Sequence, residues 1–259
     1  MVLKKMNVLI TNDDGYDSDG IQILGSVLKK AGHTVYMVAP SENRSAISSG
    51  ITMTRRLDIK NVGDRYWSCS GTPADCIITG LKSNLIEESV DVILSGINDG
   101  GNIGTDIIYS GTCAAARQGA LYGIPSIALS ISFVHGNAEK RGCFERLAQF
   151  AAKNLPSLVL LAGKNGCASF VNVNAFSFSS WNGVRLTGSL AVRHYDDSVE
   201  IVHKPDGDGM QSLFYGKEPL SSGTQDSDYS VCAEGYISVS GVMVEPVHSE
   251  LIDGISFSL

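Results

Sequence analysis

The stretch Val8-Leu9-Ile10-Thr11-Asn12-Asp13-Asp14-Gly15 constrains this chain more than any other. Three apolar residues of high β propensity run into Thr-Asn-Asp-Asp-Gly, and a helical pattern begins a few residues later. That is the pattern of a buried parallel strand delivering its carboxyl end to a site. In open α/β sheets, ligands gather at such strand ends. Two adjacent carboxylates there repel each other and lose hydration unless something positive lies between them. A hard divalent cation held by oxygen ligands is the simplest partner. Asp and Asn are equally turn formers and helix caps, and Gly15 can supply a positive φ. From this stretch alone the two readings stand level.

The neighbouring sequence builds a doubly wound core around that strand. Ile21, Leu24, Val27, Leu28 and Ala31 fall at helical spacing, with Asp17, Ser18 and Asp19 as candidate caps and Gly32 as a stop. Thr34 to Ala39 reads as a second buried strand ended by Pro40, which completes a right-handed βαβ unit. Pro40 to Gly71 reads as an extended polar loop followed by a basic stretch (Arg55, Arg56, Lys60, Arg65), a solvated face with an anionic ligand as the alternative. Thr72 and Pro73 are placed to cap and open a helix. Buried strands follow at Val90 to Gly96, Pro125 to Ile131 and Ser169 to Val173, with an amphipathic helix through Phe144, Leu147, Phe150 and Ala151. Past about Gly183 the texture changes to short alternating strands broken by Gly, Asp and Pro, the pattern of β-hairpins outside the core. A last strand-like run, Gly235 to Val244, returns to it. The expected division is a catalytic core over 1–183, a hairpin arm over 184–230, and a returning segment over 231–259.

Composition closes off several function classes. A chain of 259 residues, 43% hydrophobic and 18% charged, has the size and composition of a folded α/β protein. Its net charge of −7 argues against stable nucleic-acid binding. It leaves room for a small anionic substrate, because a bound metal supplies local positive charge. The first residues lack a signal peptide's apolar segment, and no run of apolar residues is long enough to span a membrane, so a cytoplasmic location is expected. The six cysteines are scattered without C-x-x-C, as reduced core thiols would be. The first βα turn has no G-x-G-x-x-G; G-x-x-x-x-G-K-[ST] and G-x-S-x-G are also absent. The five histidines (His33, His135, His194, His203, His248) show no metal-ligand spacing and read as surface or arm residues.

Four polar stretches stand at predicted strand ends or helix starts: Asn12 to Gly15, Asn43 to Ser45, Asn98 to Gly104, and Ser110 to Thr112. Taken singly, Asn98 can hold a left-handed turn, Ser45 can be one loop serine among many, and Ser110 or Thr112 can cap the alanine-rich helix that follows. Together, carboxylates, an amide oxygen and a hydroxyl suit Mg²⁺ or Mn²⁺. Ser-Gly-Thr at a helix start offers backbone N–H groups and two hydroxyls to a phosphate. A metal beside a phosphate seat implies phosphoryl chemistry.

These stretches resemble the survival protein E (SurE) family of metal-dependent nucleotidases. The resemblance rests on Asn12-Asp13-Asp14-Gly15, Ala39-Pro40 with Asn43-Arg44-Ser45, Gly71 to Cys76, Ser95 to Asn98 with Gly101 to Gly104, Tyr109 to Thr112, and Glu234 to Val239. It implies a three-layer Rossmann-like core with a mostly parallel sheet, and a C-terminal β-hairpin arm that joins subunits into a homodimer or homotetramer. It implies that Asp13, Asp14, Ser45 and Asn98 bind one divalent cation per subunit. Asn43, Asn102, Ser110, Gly111 and Thr112 would then line the phosphate site. The implied activity is hydrolysis of nucleoside 5′- and 3′-monophosphates by a metal-activated water, with Asp13, Asp14 and Asn98 in the catalytic set and Asp13 the preferred proton acceptor. Asp17-Ser18-Asp19 stands where the family has small or apolar residues, Gln118 where it commonly has Glu, and the chain after Pro246 is short for the family's closing helix. The rival readings are an aspartyl-phosphate phosphatase, which needs Asp-x-Asp rather than adjacent aspartates, and a non-catalytic nucleotide-binding assembly module.

Overall fold

The computed structural model describes residues 5–244 apart from 134, 137 and 206, with residue 165 described in its backbone alone. In chain order the strands and helices of the first half are β1 (Asn7–Thr11), α1 (Asp19–Lys30), β2 (Thr34–Pro40), β3 (Ile59–Gly63), β4 (Tyr66–Cys69), α2 (Pro73–Lys82), β5 (Val92–Asp99) and α3 (Gly111–Leu121). Then come β6 (Ser126–Ser132), α4 (Lys140–Ala162), β7 (Ser169–Phe176), β8 (Val184–Leu186), β9 (Val192–His194), β10 (Ser198–His203), β11 (Met210–Tyr215), β12 (Leu220–Ser222), α5 (Asp228–Ala233) and β13 (Ile237–Met243).

A strand apolar on both faces needs a covering layer on each. Side chains alternate along β1 and β2, and each face finds its own helices. Val8, Ile10, Val35 and Met37 pack with Ile21, Leu24 and Leu28 of α1 and with Phe144, Leu147 and Leu155 of α4. Leu9, Tyr36, Val38 and Ile93 face the other way, onto Cys76 and Ile77 of α2 and Ala115 of α3. The three layers follow from that alternation.

The sheet runs β3-β4-β2-β1-β5-β6-β7-β13-β8. From β4 to β7 every neighbouring pair is parallel, as the βαβ pattern requires. β3 and β13 add antiparallel strands beside β4 and β7. The α/β architecture and the mostly parallel sheet expected from the sequence are therefore present.

Local chemistry explains where elements begin. Thr72 and Asp75 form a capping box on α2, with Pro73 in the first turn. Ser18 occupies the N-cap position of α1, but its hydroxyl accepts from Asn12 Nδ2 at 2.8 Å and caps no helical N–H.

Several expectations need correction. The stretch read as a polar loop and solvated basic face contains the β3–β4 hairpin, whose second strand extends the sheet beside β2. Few of its residues are apolar, because it lies at the sheet edge, so periodicity is weak there. Val184–Leu186 is not outside the core: it pairs parallel with β13 as the last strand of the large sheet. β10–β11 and β9–β12 do form separate antiparallel pairs. His33 is buried, accepts from Met6 N–H through Nδ1, and has its pKa lowered by that burial. All six cysteines are buried and unpaired. His248, and the expectation about the chain after Pro246, lie outside the described residues.

Candidate active site

The strand order reverses at β1, with β2 on one side and β5 on the other. Crevices form at such a switch point. Asp13 and Asp14 leave the carboxyl end of β1, and Asn98 lies at the end of β5, where the register against β6 shifts between Ser95 and Asn98. The Asn98 amide Nδ2 donates to Gly100 O at 2.9 Å, which leaves Oδ1 as the oxygen this side chain can offer.

Asp13 is 4% exposed and sits against the start of α3. Thr112 Oγ1 donates to its Oδ1 at 2.5 Å, and the Gly111 and Thr112 backbone also bonds it. The approach depends on glycine: a Cβ at Gly111 would stand 2.8 Å from Asp13 Cβ and 3.0 Å from Oδ2. Burial pushes the Asp13 carboxyl pKa up, and these donors oppose it. Asp14 Oδ2 accepts the Asp99 N–H at 3.2 Å. Burial first, then the neighbouring Asp13 charge, push the Asp14 pKa up to about 6, with Lys140 working against them. Lys140 is ion-paired to Asp99.

The loop after β2 folds over this pair. Arg44 N–H donates to Asp13 O at 2.7 Å, clipping the loop to the end of β1. Asn43 Oδ1 accepts the Ser45 N–H at 2.8 Å, and both side chains are exposed. Asn43, Asp14, Asp99 and Lys140 line one cavity of about 240 Å³.

Ser110 and Thr112 carry more local work than a phosphate seat alone would ask. Ser110 Oγ caps α3 by accepting the Cys113 N–H at 3.0 Å, and the Thr112 hydroxyl is held by Asp13. Both hydroxyls thus have protein partners. Asn102 lies deeper, 5% exposed. Its Nδ2 donates to Ser130 Oγ, its N–H to Asn174 Oδ1, and its carbonyl accepts from Asn172 and Asn174. Its place is to anchor the loop between β5 and α3.

Sequence reasoning passed over Lys140, Asp99 and the Asn172–Asn174 pair. The asparagines left a signal: two buried amides alternating in an apolar strand must find partners. Lys140 left none, since it reaches the site from α4, some forty residues downstream in the chain. His135, expected at the surface, is partly buried, paired with Glu218 at 2.6 Å and stacked on Phe176 with ring centroids 4.3 Å apart.

A divalent cation fits this chemistry. Two carboxylates lie close together with both pKa values raised, a deficit of positive charge that Lys140 only partly offsets. Asn12, the residue before them in the chain, has a buried Oδ1 with no hydrogen-bond donor. Among the described residues no three His, Cys, Asp or Glu side chains form a metal cluster. Two carboxylates joined by the Asn98 amide and Ser45 hydroxyl oxygens would be a hard donor set, one that favours Mg²⁺ or Mn²⁺ over zinc.

Comparison with known proteins gives the family. The family model described as survival protein SurE matches residues 8–197. A 5′-nucleotidase SurE of Treponema pallidum (strain Nichols) is 44% identical over 179 residues, 68% of this chain and 93% of that protein. A 5′-nucleotidase SurE of Caldanaerobacter subterraneus subsp. tengcongensis is 38% identical over 257 residues, 96% of this chain and 94% of that protein. The crystal structure of the SurE protein from Aquifex aeolicus superposes with a TM-score of 0.76 at 31% identity, covering 93% of this chain and 94% of that one. With a switch-point aspartate pair, a matching family model and relatives that span nearly all its length, the chain belongs to the survival protein SurE family.

Proposed function

We propose that this chain is a divalent-metal-dependent phosphomonoesterase that hydrolyses nucleoside 5′- and 3′-monophosphates to nucleoside and phosphate. The observation that carries the reading is the adjacent Asp13–Asp14 pair at the β1–β5 switch point, with Asp13 buried against the N-terminus of α3 and Asp14 half-buried. Asp13, Asp14, Ser45 and Asn98 would hold the cation, Mn²⁺ or Mg²⁺. When bound, it supplies Lewis acidity that offsets phosphoryl charge and acidifies water.

This chain's own groups do the rest. Thr112 fixes Asp13 through Oδ1, leaving Oδ2 to accept the attacking water's proton. Asn43 and the first turn of α3, from Ser110 through Gly111 to Thr112, orient the phosphate. Asn102 keeps the Asn98 loop in place from beneath. The relatives' names specify 5′-nucleotidase activity for those proteins, and membership of the same family extends that reading to this chain.

Assembly is read from the arm. β10 and β11 pair with each other and expose Val199, Ile201 and Phe214 on one face, an apolar surface suited to a second copy of the chain. No helix among the described residues is long and apolar enough to cross a membrane. Six unpaired cysteines suit the reducing cytoplasm.

The test is phosphate release from a panel of nucleoside monophosphates with Mn²⁺, Mg²⁺ or chelator, for the native chain and Asp14→Asn. Metal-dependent release that the substitution lowers about a hundredfold or more is the expected result. Release unaffected by chelator or by Asp14→Asn rejects the mechanism.

A further inference from the structure

Beside the aspartate pair lies a second, larger space. A cleft of about 810 Å³ is lined by Ala46 and Asp99 near the carboxylates, by Asp106 and Tyr109 before α3, and by Arg193 and Tyr195 from the arm. Its volume falls in the range of small-molecule sites. Asp99 also lines the smaller cavity that contains Asp14 and Asn43, so the two spaces meet at that residue.

Tyr109 immediately precedes Ser110, the N-cap of α3. Its backbone is held by Ser48, whose N–H donates to Tyr109 O at 2.9 Å and whose hydroxyl donates to Ile108 O at 2.7 Å. The ring itself is 54% exposed. Tyr195 stands perpendicular to it, with centroids 5.9 Å apart and an interplanar angle of 87°. A T-shaped pair engages at most one face of either ring, so an aromatic face remains open for a flat ligand.

The arm residue in this pair is firmly placed. Tyr195 OH donates to Asp106 Oδ1 at 2.6 Å, Arg193 Nε donates to Oδ2 at 3.0 Å, and the Arg193 N–H donates to Thr105 Oγ1 at 3.0 Å. Just upstream of Arg193, the Ala191 N–H donates to Asp228, which also accepts the Gly104 N–H and so ties the same stretch of arm to the core loop. With both carboxylate oxygens engaged, Asp106 is a positioning residue for Tyr195.

Resting on the nucleotidase reading above, we propose that Tyr109, backed by Tyr195, is the surface on which the substrate's nucleobase stacks, so that the arm takes part in substrate selection. Stacking reads the π-face that every base presents, so it separates nucleotides from sugar phosphates without discriminating sharply among bases. The phosphate end and the base end of the substrate then lie on consecutive residues, Ser110 and Tyr109.

Adenosine 5′-monophosphate and ribose 5-phosphate share sugar and phosphate and differ by the base, so their kcat/KM ratio isolates its contribution. The full chain with Mn²⁺ is expected to prefer the nucleotide, chiefly through KM. Tyr109→Ala lowers that preference about tenfold, Tyr195→Ala by a smaller factor, and Tyr109→Phe holds it within about twofold. Free adenosine, which needs no variant, competes with ribose 5-phosphate. No preference in the native chain, equal losses on both substrates in Tyr109→Ala, or no competition by adenosine overturns the stacking wall and leaves the nucleotidase reading intact. Release from neither substrate with any divalent metal overturns the nucleotidase reading and the wall together.

Discussion

Asp14 shows at single-residue scale what a pair of adjacent, desolvated carboxylates costs a fold. Its carboxyl pKa rises from 3.8 to about 6 because burial and the adjacent Asp13 both disfavour the charge. The folded chain therefore binds this proton more tightly than the unfolded chain does. Asp14's contribution to stability is full below about pH 4 and is lost as pH rises through about 6. In chelator, the melting temperature of Asp14→Asn minus that of the native chain should climb across this window; a flat or falling difference refutes the assignment. The carboxylate pair was legible in the sequence because its β-strand context and spacing are local. Lys140, which offsets part of its charge, was not, because only packing of α4 brings that amine to Asp99.

The loop between β5 and α3 makes the same point at the scale of elements. Its anchor is Asp228, fully buried, accepting N–H bonds from Gly104, Ala191 and Tyr229 at 2.7, 2.8 and 2.9 Å. Gly104 sits at φ 56°, where an added Cβ would stand 2.0 Å from Ala191 O, so core and arm touch through backbone. Removing the acceptor leaves two buried donors and one partly buried donor unpaired, and Asp228→Ala should lose about 2–4 kcal/mol by urea unfolding. At α3, Thr112→Val should lower nucleotide turnover about tenfold or more by freeing Asp13 Oδ1, with circular dichroism unchanged. The helix starts themselves could be read in advance: Thr72 and Ser110 cap as their residue types predict. The destination of Thr112's hydroxyl could not, since its partner lies 99 residues away.

For the whole molecule, the cation is expected to act as a stabilising ligand as well as a reagent. At a hundred times its Kd, Mn²⁺ should add about 2.7 kcal/mol, roughly 5–10 °C in Tm for a chain of this size. Asp13→Asn should abolish that increment; a melting temperature indifferent to metal in the native chain would count against the site. Alternation in β1 and β2, helical spacing in α1 and the βαβ order made the layered core readable from the amino acids, because strand and helix periods are set by near neighbours. So were the aspartates at the switch point and the kinship of the chain. The packing of the arm against the β5–α3 loop, the docking of β8 into the sheet, and the partners given to Thr112, Asn102 and Lys140 depend on groups tens of residues apart. Those contacts exist only once the sheet closes the distance between them, and no local pattern of residue types encodes which distant group will be there.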